Sequence, residues 1–478
     1  MLVYSPKAMI GDRIELSEQT LGVLRDRGMS VPNYDRRALD CRIVHIGVGG
    51  FHRAHLAIYC DLLARMGGTW GICGIGLLPH DRAMAEALGA QDHLYTFTEK
   101  GTDHRESAVI GSIIDYVFAA DDPGLAADRI AAGTTAIVSM TVTEAGYDDT
   151  VRSRHTFDVI ADGLDRRRIA GGSGVTILSC DNLPANGEAA RRCALAAAAR
   201  HSTELAGWVE QHCTFPNSMV DRITPVTADA DREYLLDTYG LADRWPVVAE
   251  PFWQWVLEDD FAAGRPDFAS VGALYTDEVH AWELYKLRLL NAGHSAIAYL
   301  CALAGITYVD EAVATPAVRS FLERLLFDEA VPTLTPIQNH PREDYVRIVV
   351  ERFSNTGVRD QIARLCIDGT SKFPTFLMPT IVRQLELGGP VTRSAHALAG
   401  WAHYLAVVPD DEQEPDALGS QSRPLARAAM ADPKAFIDER AGFPPELVGD
   451  ERFADAFTAA HASITEHGAL GALERLAD

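Results

Sequence analysis

The spacing of apolar positions changes near residue 276. Before it, short apolar runs alternate with stretches of helical period; after it, almost every segment repeats at helical spacing. The runs at 42–46, 70–77, 107–115, 135–142 and 175–180 predict strands. The stretches at 81–88, 125–132, 156–168, 187–201 and 204–213 predict helices, with a weak helix at 17–27 and a further helix from about 54 to 66. Strands that alternate with helices make a parallel, doubly wound α/β sheet. The segment 215–225 reads as a loop and 247–251 as a short strand. Helices are expected at 279–303, 310–328, 343–353, 357–366, 376–387, 391–406, 421–430, 434–440 and 450–465. The division predicts a nucleotide-binding α/β domain over 1–276 and a helical domain over 277–478.

The helical stretch 279–303 carries the densest chemistry. At 100° per residue, Glu283, Asn291 and His294 fall within about 140° of Lys286, mixed with Leu287 and Leu290. Polar groups among leucines suit a pocket wall better than a solvated face. Only five of the 43 basic residues are lysines, at positions 7, 100, 286, 372 and 434. Arg keeps its proton in a protein, whereas a buried Lys can release one. Lys286 is therefore a candidate general base, with a salt-bridged helix residue as the plain alternative.

Gly47-Val48-Gly49-Gly50 follows the first strong strand, where a dinucleotide fold places its pyrophosphate turn. His52 stands where a third glycine would complete Gly-x-Gly-x-x-Gly. Asp81 is the nearest acid to the end of the second strand and the candidate partner of an adenosine ribose; it is equally placed to cap the next helix. NAD is preferred over NADP, although Arg82 would suit a 2′-phosphate. Thr143, Glu144, Asp181 and Asn182 follow later strands, at the carboxyl edge where such sheets bind ligands. Asp181 and Asn182 also fit an Asx-turn.

Composition narrows the class. A net charge of −24 supplies no basic stripe for nucleic acid and disfavours an anionic membrane surface. Eight cysteines without a Cys-x-x-Cys pair, several in apolar runs, suggest buried thiols in a reducing compartment. With no signal core at the N-terminus and no apolar run of spanning length, a cytoplasmic location is expected. There is no Tyr-x-x-x-Lys pair, no tight His/Cys cluster for a catalytic zinc, no nucleoside-triphosphate loop and no Gly-x-Ser-x-Gly elbow.

In order along the chain stand Ile46-Gly-Val-Gly-Gly-Phe-His-Arg-Ala-His55, Thr143-Glu-Ala-Gly-Tyr147, Ser179-Cys-Asp-Asn-Leu-Pro-Ala-Asn-Gly187, Phe215-Pro-Asn-Ser-Met-Val-Asp-Arg-Ile-Thr-Pro225, Glu250-Pro-Phe252, Trp255-Val-Leu-Glu-Asp259, Lys286-x4-Asn291-x2-His294 and Asp368-Gly-Thr-Ser-Lys-Phe-Pro374. This set resembles the mannitol 2-dehydrogenase family of polyol-specific long-chain dehydrogenases. The resemblance implies a Rossmann-type domain followed by a mainly helical one. It implies zinc-independent, NAD-linked interconversion of a polyol and its ketose by a monomer, with mannitol and fructose the leading pair. Lys286 would be the base, Asn182 and Asn291 would flank the reacting oxygen, and His294 would position substrate. Asp221, Arg364 and Lys372 would contact other hydroxyls, and Glu283 would tune proton exit. Cofactor contacts would come from Gly47, Val48, Gly49, Gly50, Phe51, His52, Arg53, Asp81, Thr143 and Glu144. Two positions depart from the family pattern: Ala145 replaces a glycine, and His80 stands in place of a first acid beside Asp81. Arabinitol, sorbitol or a hexuronate remain alternative substrates. A non-catalytic NAD sensor is the alternative from another class, and it expects the Lys/Asn/Asn/His set to be broken.

Overall fold

The centre of the first half is a five-stranded parallel sheet: β1 (Asp40–Ile46), β2 (Trp70–Gly76), β3 (Ile113–Phe118), β4 (Ile137–Met140) and β5 (Thr176–Ser179). Their order is β3-β2-β1-β4-β5, so the chain winds outward from β1 in both directions. The computed structural model describes residues 13–143, 146–147 and 151–477. It divides into two units, 1–280 and 281–478.

Both faces of the sheet are buried, which explains why the strands read as apolar runs and not as alternating ones. Neighbouring residues still point to opposite faces. Ile43, Ile72, Ile113, Ile137 and Leu178 build one core with the helix Leu56–Arg65. Val44, Cys73, Val117, Val138 and Ile177 build the other. The helices Pro123–Ala131, Val151–Ile169 and Asn186–His201 cover that second face, through residues such as Ile130, Ile160 and Ala194.

Two expected elements differ. The single strand expected at 107–115 is two strands in different sheets. Arg105–Ile110 returns antiparallel against Tyr95–Lys100, and Ile113–Phe118 joins the parallel sheet. The break falls at Gly111 and Ser112, which turn to bond Asp61 Oδ1 at 2.9 Å and Ala57 O at 2.7 Å. The expected loop 215–225 contains a strand, Ser218–Asp221, paired antiparallel with Gln254–Leu257. Its four residues are all buried, so no alternation betrays it.

The second unit is helical. The long helix expected at 279–303 is continuous but not uniform: Val279–Tyr285 is α-helical, Lys286–Asn291 is a π turn, and Ala292–Leu303 is α-helical again. Ala292–Leu303 is the buried core of this unit. Gly400 on the helix Thr392–Val407 lets Leu300 approach to a distance that a Cβ would forbid. The helix expected at 376–387 is Met378–Leu387, and a separate helix, Gly369–Phe376, precedes it after Asp368, whose φ is 57°. No described helix is long and apolar enough to cross a membrane.

Candidate active site

The sheet order reverses between β1 and β4, and the loops beyond those two strands border a cleft of about 380 Å³. Its walls include Gly47, Val48, Gly49, Gly50, Leu78, His80, Asp81, Thr141 and Thr143. Ligands of open α/β sheets bind at such a reversal.

Each glycine of the turn has its own reason. Gly47 has φ 88°, and a Cβ there would strike the Thr141 carbonyl oxygen. Gly49 has ordinary extended geometry, and a Cβ would meet nothing nearer than Gly47 O at 3.9 Å. The fold therefore requires Gly47 but leaves free space at Gly49. Backbone approach by a pyrophosphate needs that space.

Behind the turn, His52 is buried and stacked on His45, with ring centroids 3.5 Å apart and planes 14° from parallel. An imidazole thus packs where a third glycine would allow close helix–strand approach. His45 is held by Ser139 Oγ at 2.9 Å and Thr141 Oγ1 at 3.0 Å. Burial pushes His45 down to about 3 and His52 well below its ordinary value, so both rings are neutral at neutral pH. Arg53 is also buried, donating to Trp245 O at 2.5 Å and Gly49 O at 3.3 Å. Phe51 stacks on His55. These three residues of the motif face the protein, whereas Gly47 to Gly50, Asp81 and Thr143 face the cleft. Glu144 lies outside the described residues.

Asp81 does not cap the following helix through its side chain. Its Oδ2 accepts from Leu78 N at 2.8 Å and ties back its own turn. Arg82 is committed elsewhere, in a two-pronged pair with Asp121 at 2.6 and 3.2 Å and over the ring of Phe118.

The sequence reading did not single out the buried role of Asp181. Its carboxylate accepts from Thr143 N at 2.7 Å, Val142 N at 3.1 Å and the Tyr147 hydroxyl at 2.7 Å. Thr143 is held at φ 64° by this arrangement. The carboxylate reaches across to the loop after β4. Asn182 beside it is exposed, and Asp221 is buried at the end of its strand.

In the second unit, Lys286, Leu287, Leu289 and Leu290 of the π turn are buried, as is Glu283. A π turn closes over five residues, where an α-turn closes over four. Asn291 therefore lies about one turn beyond Lys286, and the separation of about 140° expected from a regular helix shrinks. Single π turns of this kind recur at functional sites. One turn on, His294 lies flat against Phe353 at 4.0 Å and 7°. Its Nε2 is buried without a hydrogen-bond partner among the described residues. Burial pushes this imidazole down to about 3, against the pull of Asp360 and with the push of Arg364. A neutral ring with an open nitrogen can donate to or accept from a hydroxyl.

Arg364 and Asp360 form a two-pronged pair at 2.7 and 2.5 Å. Lys372 Nζ donates to Leu365 O at 3.1 Å and Arg364 O at 3.4 Å. Burial, then Arg364, lowers the hold of Lys372 on its proton. The π turn, His294 and these two cations thus belong to one unit. The glycine cleft, Asn182 and Asp221 belong to the other.

Residues 41–270 match the mannitol dehydrogenase Rossmann domain, and 278–465 match the mannitol dehydrogenase C-terminal domain. The chain belongs to the mannitol dehydrogenase family. It is an oxidoreductase of the kind that acts on CH–OH groups. It is 39% identical to the mannitol 2-dehydrogenase of Neosartorya fischeri, over 97% of this chain and 99% of that one. A mannitol dehydrogenase of Saccharomyces cerevisiae is 37% identical over 94% of this chain and 95% of its own. Among solved structures, Pseudomonas fluorescens mannitol 2-dehydrogenase, in a ternary complex with NAD and D-mannitol, superposes with TM-score 0.87 at 37% identity. That match covers 97% of this chain and 99% of the other. A substrate-free D-sorbitol dehydrogenase superposes with TM-score 0.86 at 32% identity, over 96% and 100% of the two chains.

Proposed function

We propose that this family member oxidises a secondary alcohol of an open-chain polyol to a ketone, with D-mannitol to D-fructose the leading pair, NAD the cofactor and Lys286 the base. The observation that carries this reading is the near full-length likeness to a mannitol 2-dehydrogenase solved with NAD and D-mannitol.

Gly47, Val48, Gly49 and Gly50 would hold the pyrophosphate, with Asp81 accepting from the ribose and Thr143 closing the far wall. The commitment of Arg82 to Asp121 favours NAD over its 2′-phosphorylated form. When bound, NAD supplies the acceptor for the hydride that leaves carbon. The protein handles the proton. Lys286, in its unprotonated form, takes it from the substrate hydroxyl. The amides of Asn291 and Asn182 donate to the oxygen as negative charge grows there, each worth about 3 kcal/mol when well placed. His294 orients a neighbouring hydroxyl through its open nitrogen. Asp221, Arg364 and Lys372 bind the remaining hydroxyls, and Glu283 passes the proton on. No step calls for zinc.

A second substrate, D-sorbitol, has the support of the likeness to D-sorbitol dehydrogenase. The test follows NADH formation from D-mannitol, D-sorbitol and D-arabinitol, with and without EDTA. The highest kcat/KM is expected for D-mannitol, unchanged by the chelator. Failure to oxidise any polyol would remove the reading, and inactivation by EDTA that Zn²⁺ reverses would remove its metal-free chemistry.

A further inference from the structure

Asp360 is a buried carboxylate beside Arg364. Its side chain is 7% exposed, and both oxygens are spent on Arg364, one helical turn on. The residue is fixed from both sides. Its own carbonyl accepts from Val309 N at 2.9 Å, and the preceding Arg359 is anchored at φ 53° to Asp310 and Glu311, at 3.1 and 3.0 Å. Burial raises the Asp360 carboxyl, but Arg364 outweighs burial and keeps it ionised. Both partners are therefore charged at neutral pH, with Asp360 buried and the Arg364 side chain 47% exposed.

This pairing decides what Arg364 has to offer. A guanidinium binds a carboxylate through two parallel N–H groups and a full positive charge. Here the edge made by Nε and Nη2 is filled by Asp360. The remaining N–H groups can donate to a hydroxyl oxygen, but they belong to a pair with no net charge. A substrate carboxylate placed there would meet the buried Asp360 anion behind the guanidinium, with no unpaired charge to offset it. The neighbouring cation, Lys372, is held apart from this edge by its donations to the Leu365 and Arg364 carbonyls.

We propose that Asp360 is a specificity-determining residue: by holding Arg364 in a closed pair, it selects uncharged polyols and rejects their carboxylate-terminated counterparts. The inference rests on the assignment of Arg364 to substrate binding made above. Asp360 acts through Arg364 and is a positioning residue.

The test compares D-mannitol with D-mannonate, the same carbon chain carrying a terminal carboxylate, in the wild-type enzyme, Asp360→Asn and Asp360→Glu with NAD present. Wild type should prefer D-mannitol. Asp360→Asn should shift the kcat/KM ratio towards D-mannonate by about ten- to a hundredfold, the range of a charge-assisted hydrogen bond to a freed cation. Asp360→Glu, which keeps the charge, should retain most of the wild-type ratio, and the Kd for NAD should not move. A merely structural role would depress both substrates together, and an unchanged ratio in folded Asp360→Asn would overturn the inference. If that variant fails to fold, wild type alone decides. D-mannonate should inhibit mannitol oxidation with a Ki above the KM for D-mannitol, and a Ki well below it would overturn the inference. Absence of polyol turnover in wild type would count against the proposed activity. The role of Asp360 would then be read as calorimetric affinity for D-mannonate, wild type against Asp360→Asn: tighter binding by the variant supports it and equal binding overturns it.

Discussion

Gly49→Ala separates what the fold needs from what a bound cofactor needs. Gly49 sits at φ −101° and ψ −169°, a conformation that alanine adopts freely. With no protein atom closer than 3.9 Å to its Cβ, the substitution should change stability by less than about 1 kcal/mol, and in the favourable direction if at all. The same methyl group lies at the turn that the pyrophosphate is proposed to approach. Overpacking there should cost about 1–3 kcal/mol of NAD binding, a Kd weakened roughly 5- to 150-fold. Gly47→Ala is the contrast. Its left-handed φ costs an L-residue about 1–2 kcal/mol. The collision with the Thr141 carbonyl adds about 1–3 kcal/mol, because a backbone atom cannot swing aside. The loss should appear in the urea midpoint without any ligand. Calorimetry with NAD and urea unfolding of both variants read the two effects. If Gly49→Ala binds NAD as wild type does, the turn is not the cofactor's seat. If it unfolds as early as Gly47→Ala, the claim of open space at Gly49 is wrong.

Two other substitutions test the supports of the cleft. Asp181→Asn removes the charge that three donors share, and one side of the new amide must face an N–H; the loss should be about 2–4 kcal/mol, with weaker NAD binding because Val142 and Thr143 border the cleft. A variant that keeps wild-type stability and NAD affinity would show that Asp181 does not hold this loop. His45, at about 3 in the native state against 6.5 for an ordinary imidazole, gives stability a pH dependence of known sign. Between these values the unfolded chain binds a proton that the native state refuses, so stability is full above about 6.5 and is lost as pH falls towards 3. From pH 8 to 5.5 the loss should be about 1.4 kcal/mol for this ring, and His45→Gln should flatten the urea-midpoint profile by that amount; an equally steep profile in the variant would refute the assignment.

Strong local patterns were legible in the chain, and long-range partners were not. The buried run at 42–46 and the Gly47-Val48-Gly49-Gly50 turn announced β1 and its cleft, because two-sided burial and a left-handed φ both restrict residue type locally. The helical half was readable in outline, but the helix expected at 357–366 is only Ile362–Cys366, and the one expected at 310–328 breaks between Val309–Ala314 and Pro316–Arg324, where Pro316 starts a new helix. The π turn was not legible, because an i→i+5 ladder uses the same side chains as an i→i+4 ladder, and counting at 100° per residue fails across it. The strand Ser218–Asp221 was hidden because four buried residues ending in a charge look like an irregular segment. The place of Asp181 beyond a strand was legible, but not its bonds to Val142, Thr143 and Tyr147, because these partners lie 34 to 39 residues earlier. Asp360 and Arg364 stand four residues apart, yet only the fold shows that the carboxylate is buried and both its oxygens face the guanidinium.

The proposed chemistry depends on one amine. In Lys286→Met the hydrophobic stem survives and the base is gone. At neutral pH, kcat for D-mannitol oxidation should fall by about a hundredfold or more, the usual contribution of a general base, while the Kd for NAD stays within about twofold of wild type. A folded Lys286→Met enzyme that oxidises D-mannitol at the wild-type rate would contradict the account.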